Sequence, residues 1–117
     1  MQLLDLRNRR FVGVDNYDDG DARRDTVFNY DQSGDIVTAT YSGGRIRHGQ
    51  ILARVTQDNS LEMTWQYLNV DGILIAGTCR SVPELLPDGR YRLHESWTVT
   101  VGPNQDESGT SVIEEIR

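Results

Sequence analysis

The sequence predicts an all-β fold: a single antiparallel up-and-down β-barrel of about eight strands. Short stretches that alternate apolar and polar residues follow one another at a spacing of roughly 8–12 residues, which is typical of barrels and sandwiches. No helix of the length that a parallel crossover needs separates any two of them, so neighbouring strands should pair antiparallel. Because the connections are short, closure into a barrel would remove the unpaired edges of the sheet.

Strand character begins at Phe11 and ends near Ile116. In chain order, we expect strands over residues 11–14, 26–32, 36–42, 46–55, 61–68, 73–80, 90–101 and 109–116. Gly, Pro, Asn or Asp marks the turns between them, at 33–35, 43–44, 58–59, 71–72 and 102–104. Two longer loops are expected, a solvated acidic loop at Asp15–Asp25 and another at 82–89.

The clearest hairpin signal is Asp71-Gly72, which lies between two alternating stretches. Asp-Gly suits a two-residue type I′ turn, because both central residues of that turn have positive φ. Such a turn places Arg80 on the same strand face as Trp65 and Tyr67, which would give the barrel a mixed aromatic and charged interior. A β-bulge in the returning strand would move Arg80 to the other face.

The charge of the chain argues against nucleic acid as a partner. The formal net charge is −6 and the isoelectric point is near 4.7, whereas phosphate-backbone binding needs clustered Lys and Arg. All twelve basic residues are arginine, which excludes Schiff-base chemistry and a lysine general base. Cys79 is the only cysteine, so an intrachain disulfide and a Cys-based zinc site are excluded, and we expect no metal and no cofactor.

Residues 1–117 are expected to form a single domain. Met1 to Arg10 has no apolar core of signal-peptide length, and no stretch is apolar enough to form a transmembrane helix. We therefore expect a cytoplasmic location and no membrane partner.

Glu95 is the charged residue with the most unusual predicted position. It lies between Leu93 and Trp97 on the apolar face of its strand, so alternation points it into the barrel. A buried carboxylate needs a partner or a proton. One interpretation is structural: an internal ion pair, for which Arg80 is the natural partner, or a hydrogen-bond network that closes one end of the barrel. The other is a ligand anchor, or a general acid or base with a raised pKa.

Aromatic residues complete the candidate inner face. When Tyr and Trp are buried, their O–H and N–H groups need hydrogen-bond partners, so the interior should be partly polar. Glu114 lies between Val112 and Ile116 and could also face inward. The candidate ligand-binding residues are Tyr41, Trp65, Tyr67, Arg80, Glu95, Trp97 and Glu114.

Several motifs, spread from about Phe11 to Ile116, together resemble a family of small bacterial proteins of about this length. They are Tyr41-Ser42-Gly43-Gly44, Gly49, Gly77-x-Cys79-x-Ser81-x-Pro83-Glu84, Asp88-Gly89-Arg90, Leu93-His94-Glu95-x-Trp97 and Glu114-Glu115. The resemblance implies a calycin-type barrel, similar to avidin or the lipocalins, and implies no catalytic residues. Members of this family often carry the name N-acetylglutamate synthase. An acetyltransferase of the usual fold needs helices and a Gly-rich pyrophosphate loop, and the sequence has neither, so we expect no such activity.

Three functions are compatible with this interpretation. The mixed inner face favours a barrel that binds a small molecule. A filled barrel would instead act through its surface or as a homo-oligomer, with Leu68, Ile73 and Ile75 as outward apolar residues. A barrel enzyme would use Glu95 as acid or base, either alone or with Glu114 or His48 as a second group.

Overall fold

Eight strands close into one antiparallel barrel in the computed structural model, which describes residues 4–117. The strands are β1 (Arg9–Asp15), β2 (Val27–Ser33), β3 (Ile36–Gly43), β4 (Ile46–Val55), β5 (Leu61–Asn69), β6 (Leu74–Leu85), β7 (Tyr91–Val101) and β8 (Ser108–Glu115). Each strand pairs with its neighbours in sequence and β8 returns to β1, so the predicted fold class is confirmed. The part of the chain that the structure describes holds no helix long and apolar enough to cross a membrane.

The two ends of the barrel are built differently. At one end, Leu61, Leu93 and Ile113 are fully buried and fill the interior. The segment before β1 covers this end with Leu6, whose backbone N–H donates to Gln32 Oε1 at 2.9 Å. At the other end lie the β1–β2, β3–β4, β5–β6 and β7–β8 connections, where the interior is not filled. The first end therefore supplies the packed core, and the second can hold a site.

The β5–β6 hairpin has a three-residue loop, Val70-Asp71-Gly72, where a two-residue turn was expected. Asn69 N–H donates to the carbonyl of Ile73 at 3.0 Å, and the φ of Gly72 is 76°, as in a type I turn that ends in a bulge glycine. The additional loop residue shifts the register by one position, so Arg80 pairs with the outward-facing Glu62. Because side chains alternate, all of β6 presents the opposite face to the one predicted.

This shift also changes the apolar outer face. Ile75, expected to point outward, is 8% exposed and lies inside the barrel, while its neighbour Leu74 is 56% exposed. Leu68 is half-buried opposite Leu74, and Ile73 lies at the loop and is 37% exposed.

Strand β6 is longer than expected, because it continues through Pro83 to Leu85. The predicted loop at 82–89 is therefore reduced to the turn after Leu85. Strand β5 begins at Leu61, opposite Ser81, so β6 has only β7 beside it at Pro83. Proline is tolerated at such an edge position, since fewer ladder hydrogen bonds depend on its missing N–H.

Candidate ligand-binding site

The open end of the barrel leads into a cavity of about 430 Å³. Its wall contains a continuous series of aromatic rings, in which Phe28 stacks on Tyr41 at 4.9 Å and Trp65 stacks on Tyr67 at 5.9 Å between centroids. Of the candidate residues, those that line the cavity are Tyr41, Trp65, Tyr67, Glu95 and Trp97. The structure thus brings these five together, and their contact with a ligand stays a prediction.

Glu95 lies at the floor of this cavity, inward-facing as its alternation predicted. Its Oε1 accepts hydrogen bonds from Tyr17 Oη and from Ser111 Oγ, each at 2.9 Å. Burial raises the pKa of Glu95, and the two hydroxyl donors offset only part of that effect. A hydroxyl network therefore surrounds the carboxyl group in place of the predicted ion pair.

The interior also contains two buried hydroxyl groups without hydrogen-bond partners among residues 4–117. Ser81 stands opposite Glu95 in the β6–β7 pairing, and Tyr30 lies one inward position below Phe28 on β2. Ser81 Oγ and Tyr30 Oη are buried and make no hydrogen bond with residues 4–117. Burial, followed by the negative charge of Glu95, raises the pKa of the Tyr30 hydroxyl. Neither residue lines the cavity, so this unused hydrogen-bonding capacity lies in the packed interior and not on the cavity surface.

Arg80 does not belong to this site, which corrects the prediction that it shares the face of Trp65. Its guanidinium lies on the outer surface, where Nη2 donates to Asp58 Oδ2 at 2.9 Å. The cause is the three-residue hairpin loop, which reverses the faces of β6. The predicted Arg80–Glu95 ion pair is therefore wrong.

Glu114 also lies outside the barrel, although an inward orientation was expected. It accepts hydrogen bonds from Arg92 Nη2 at 2.7 Å and from Arg90 Nη1 at 3.2 Å, and these hold its pKa below the ordinary value. The inward carboxyl group of β8 is that of the next residue, Glu115, which accepts from Arg9 Nη1 at 2.9 Å. The half-buried apolar neighbours of Glu114 are part of the outer face.

The aromatic rings of the wall lie over glycines of adjacent strands. Trp65 pairs with Gly77 and Trp97 with Gly109. A methyl group at Gly77 would approach Trp65 Cζ2 to 2.4 Å, and one at Gly109 would approach Trp97 Cζ2 to 2.5 Å. The same arrangement joins Tyr41 to Gly49 and Tyr17 to Gly13. These glycines let the rings lie flat against the wall, which leaves the centre of the cavity open.

The β1–β2 loop crosses the mouth of the cavity, so the expectation of a solvated loop at Asp15–Asp25 is only partly correct. Asp21 Oδ2 accepts hydrogen bonds from Tyr67 Oη at 2.9 Å and from Asn69 Nδ2 at 3.2 Å. Its Oδ1 accepts from Arg45 Nε at 3.3 Å. Sequence reasoning missed Asp21 and Tyr17, because a loop without periodicity gives no sign of which residues turn inward.

Neither histidine adds chemistry to the cavity. His48 and His94 are both exposed, and neither lines the cavity. Within residues 4–117, no group of three or more His, Cys, Asp or Glu side chains is placed to hold a metal ion. Burial, followed by the charge of Glu95, raises the pKa of the Cys79 thiol, which disfavours a reactive thiolate.

Comparison with known proteins identifies the family. No curated protein and no solved structure matches the chain. A family model described as avidin-like protein matches residues 4–116. The match spans all eight strands of the closed barrel. The chain therefore belongs to the avidin-like protein family.

Proposed function

We propose that the protein binds a small molecule inside the barrel, through its open end. The observation that carries this proposal is the cavity of about 430 Å³, which has an aromatic wall and a polar floor. Ligand sites typically have volumes of about 300–1,000 Å³ and combine apolar walls with a few polar groups. Membership of the avidin-like family supports the same class of function.

A side-chain-filled barrel is less consistent with the structure. The interior of an eight-stranded barrel is just wide enough for side chains to fill it or for one small ligand to enter. Here the glycines opposite Trp65 and Trp97 hold these large rings at the wall.

The catalytic alternative lacks the second group that it could have used. Glu114 and His48 were possible partners of Glu95, and both side chains lie on the outer surface. Two carboxyl groups that share a substrate must face the same site. The arrangement of these residues therefore supports binding over acid/base catalysis.

Tryptophan fluorescence tests the proposed function directly, because the only two tryptophans, Trp65 and Trp97, both line the cavity. We expect members of a library of small apolar compounds with one polar group to change the emission in a saturable way. Ile75→Phe narrows the cavity and should weaken binding by about tenfold or more. Its matched control is Leu74→Phe, which changes the adjacent outward side chain and should leave the affinity unchanged. A library without any saturable binder would contradict the proposal.

We also propose that the protein self-associates through an apolar patch on the outer face, formed by Leu68, Leu74, Ala76 and Val101. Leu68 pairs with Leu74 and Ala76 pairs with Val101, so the four side chains share one face of β5–β7. Leu74 and Val101 are 56% and 49% exposed. A second copy of the same patch would bury this surface, as in an isologous dimer.

A further inference from the structure

Glu95 is a buried carboxyl group without a cationic partner. Its side chain is 8% exposed, and the hydrogen bonds from Tyr17 and Ser111 both end on Oε1. Among residues 4–117, no ion pair includes Glu95 and no hydrogen bond reaches Oε2. An ionised carboxylate in such a place is costly unless a positive charge accompanies it. This cost raises the pKa of Glu95 in the free protein.

The wall above Glu95 suits a cation. Trp65 and Tyr67 are stacked with an interplanar angle of 15°, and both line the cavity. Trp65 lies over Gly77, so its indole forms part of the cavity wall beside Tyr67. The face of an aromatic ring carries negative electrostatic potential and attracts ammonium or guanidinium groups within about 6 Å.

The charges at the mouth of the cavity also favour a cationic ligand. The charged side chains that line the mouth are Asp19, Asp21, Glu107, Arg23 and Arg45. The guanidinium of Arg45 already pairs with Asp21 and Asp71. Three carboxylates therefore face two guanidinium groups at the entrance, and the net charge of −6 adds a long-range attraction for cations.

We propose that the ligand is an organic ammonium ion, whose N–H groups donate to Oε2 of Glu95 and whose apolar body lies against the aromatic wall. This inference rests on the proposed small-molecule function and names the chemical class of the ligand. No covalent bond of the ligand changes. At a pH below its pKa in the free protein, Glu95 releases its proton to solvent as the ammonium binds, so the complex contains one carboxylate and one cation.

Glu95 is the group that controls how the affinity for the ligand depends on pH. The titratable side chains that surround it are Tyr17, Tyr30, Tyr41 and Cys79. Burial raises the pKa of each, and the charge of Glu95 raises it further, so these groups stay neutral over a range of about pH 5–8. The affinity for an ammonium ion should rise with pH until Glu95 is ionised in the free protein, by up to about tenfold per pH unit.

Three matched compounds test the inference on the whole chain: 4-phenylbutylamine, 4-phenylbutan-1-ol and 4-phenylbutanoate. They share one apolar body and differ in the charge of the end group. Titrations followed by tryptophan emission should show the amine binding at least about tenfold more tightly than the alcohol, a difference on the order of 1.4 kcal/mol. The carboxylate should bind most weakly. Calorimetry in buffers with different ionisation enthalpies should detect proton release with the amine alone.

The variant Glu95→Gln keeps the shape of the side chain and removes its charge. We expect it to lose the preference for the amine and its pH dependence, while binding of the alcohol stays within about threefold. The control is Glu115→Gln, which changes a buried carboxyl group at the closed end and should leave all three affinities unchanged. If alcohol or carboxylate binds wild type as tightly as the amine, the inference is wrong and small-molecule binding stands. If none of the three binds and the wider library also fails, small-molecule binding itself is wrong.

Discussion

The buried carboxyl group of Glu95 makes the stability of this barrel depend on pH in a defined direction. Its pKa is raised in the folded state, so above about pH 4.5 the unfolded chain has lost a proton that the folded protein still holds. Stability from this group is therefore complete below that pH and is lost as the pH rises through the folded-state pKa. Within that window the loss amounts to about 1.4 kcal/mol per pH unit.

Urea denaturation of wild type and Glu95→Gln, at intervals from about pH 4 to pH 8, measures this contribution. We expect the variant to gain stability relative to wild type as the pH rises. Glu114→Gln provides a control of opposite sign, because Arg92 and Arg90 lower the pKa of Glu114. Its stabilising contribution is present above about pH 4.5 and is lost as the pH falls. Parallel profiles for wild type and Glu95→Gln would show that the carboxyl group is not held as the structure indicates.

At the scale of strand pairs, the contacts between aromatic rings and glycines predict different losses of stability for two Gly→Ala variants. In Gly109→Ala, the three atoms nearest to the new methyl group all belong to the side chain of Trp97, and this side chain borders the cavity. We expect a destabilisation of about 1–3 kcal/mol, a changed tryptophan emission and weaker ligand binding. In Gly77→Ala, the methyl group would also lie 2.1 Å from the carbonyl oxygen of Thr98. That oxygen belongs to the backbone of β7, so Gly77→Ala should destabilise the protein more than Gly109→Ala.

Chemical denaturation of both variants checks this order. Gly20→Ala is the control, since the nearest atom to its new methyl group is the carbonyl oxygen of Ala22 at 3.8 Å. It should change stability by no more than about 0.5 kcal/mol. Equal losses for Gly77→Ala and Gly109→Ala would mean that the strand backbones do not limit the approach of the methyl group.

The faces of individual strands show how far the sequence could predict this structure. Alternation and turn residues predicted the eight strands and the inward Glu95, because these signals are local. The face of β6 was predicted wrongly, because Asp-Gly is compatible with both a two-residue turn and a three-residue loop. The side chain of Asn69 favours the longer loop, where Oδ1 accepts the N–H groups of Asp71 and Ile73, each at 3.0 Å. A difference of one residue was enough to move Arg80 out of the site.

The mouth of the cavity was beyond prediction for a different reason. Asp21 is held by Tyr67, Asn69 and Arg45, which lie 24 to 48 residues further along the chain. Tyr17 likewise reaches Glu95 across 78 residues. Hydrogen bonds of this range depend on barrel closure, and no periodicity in the loop records them.

At the scale of the whole molecule, the outer apolar patch predicts that the protein forms at least a dimer in solution. Light scattering should give a mass of at least twice the 13.3 kDa of one chain. Leu74→Arg places a charge at the centre of the patch and should shift the mass to that of a monomer. Leu52→Arg is the matched control, because Leu52 is 59% exposed but is flanked by Thr38 and Thr64 on the neighbouring strands. A monomeric wild type would contradict self-association. If Leu74→Arg and Leu52→Arg dissociate the protein equally, self-association does not depend specifically on this patch.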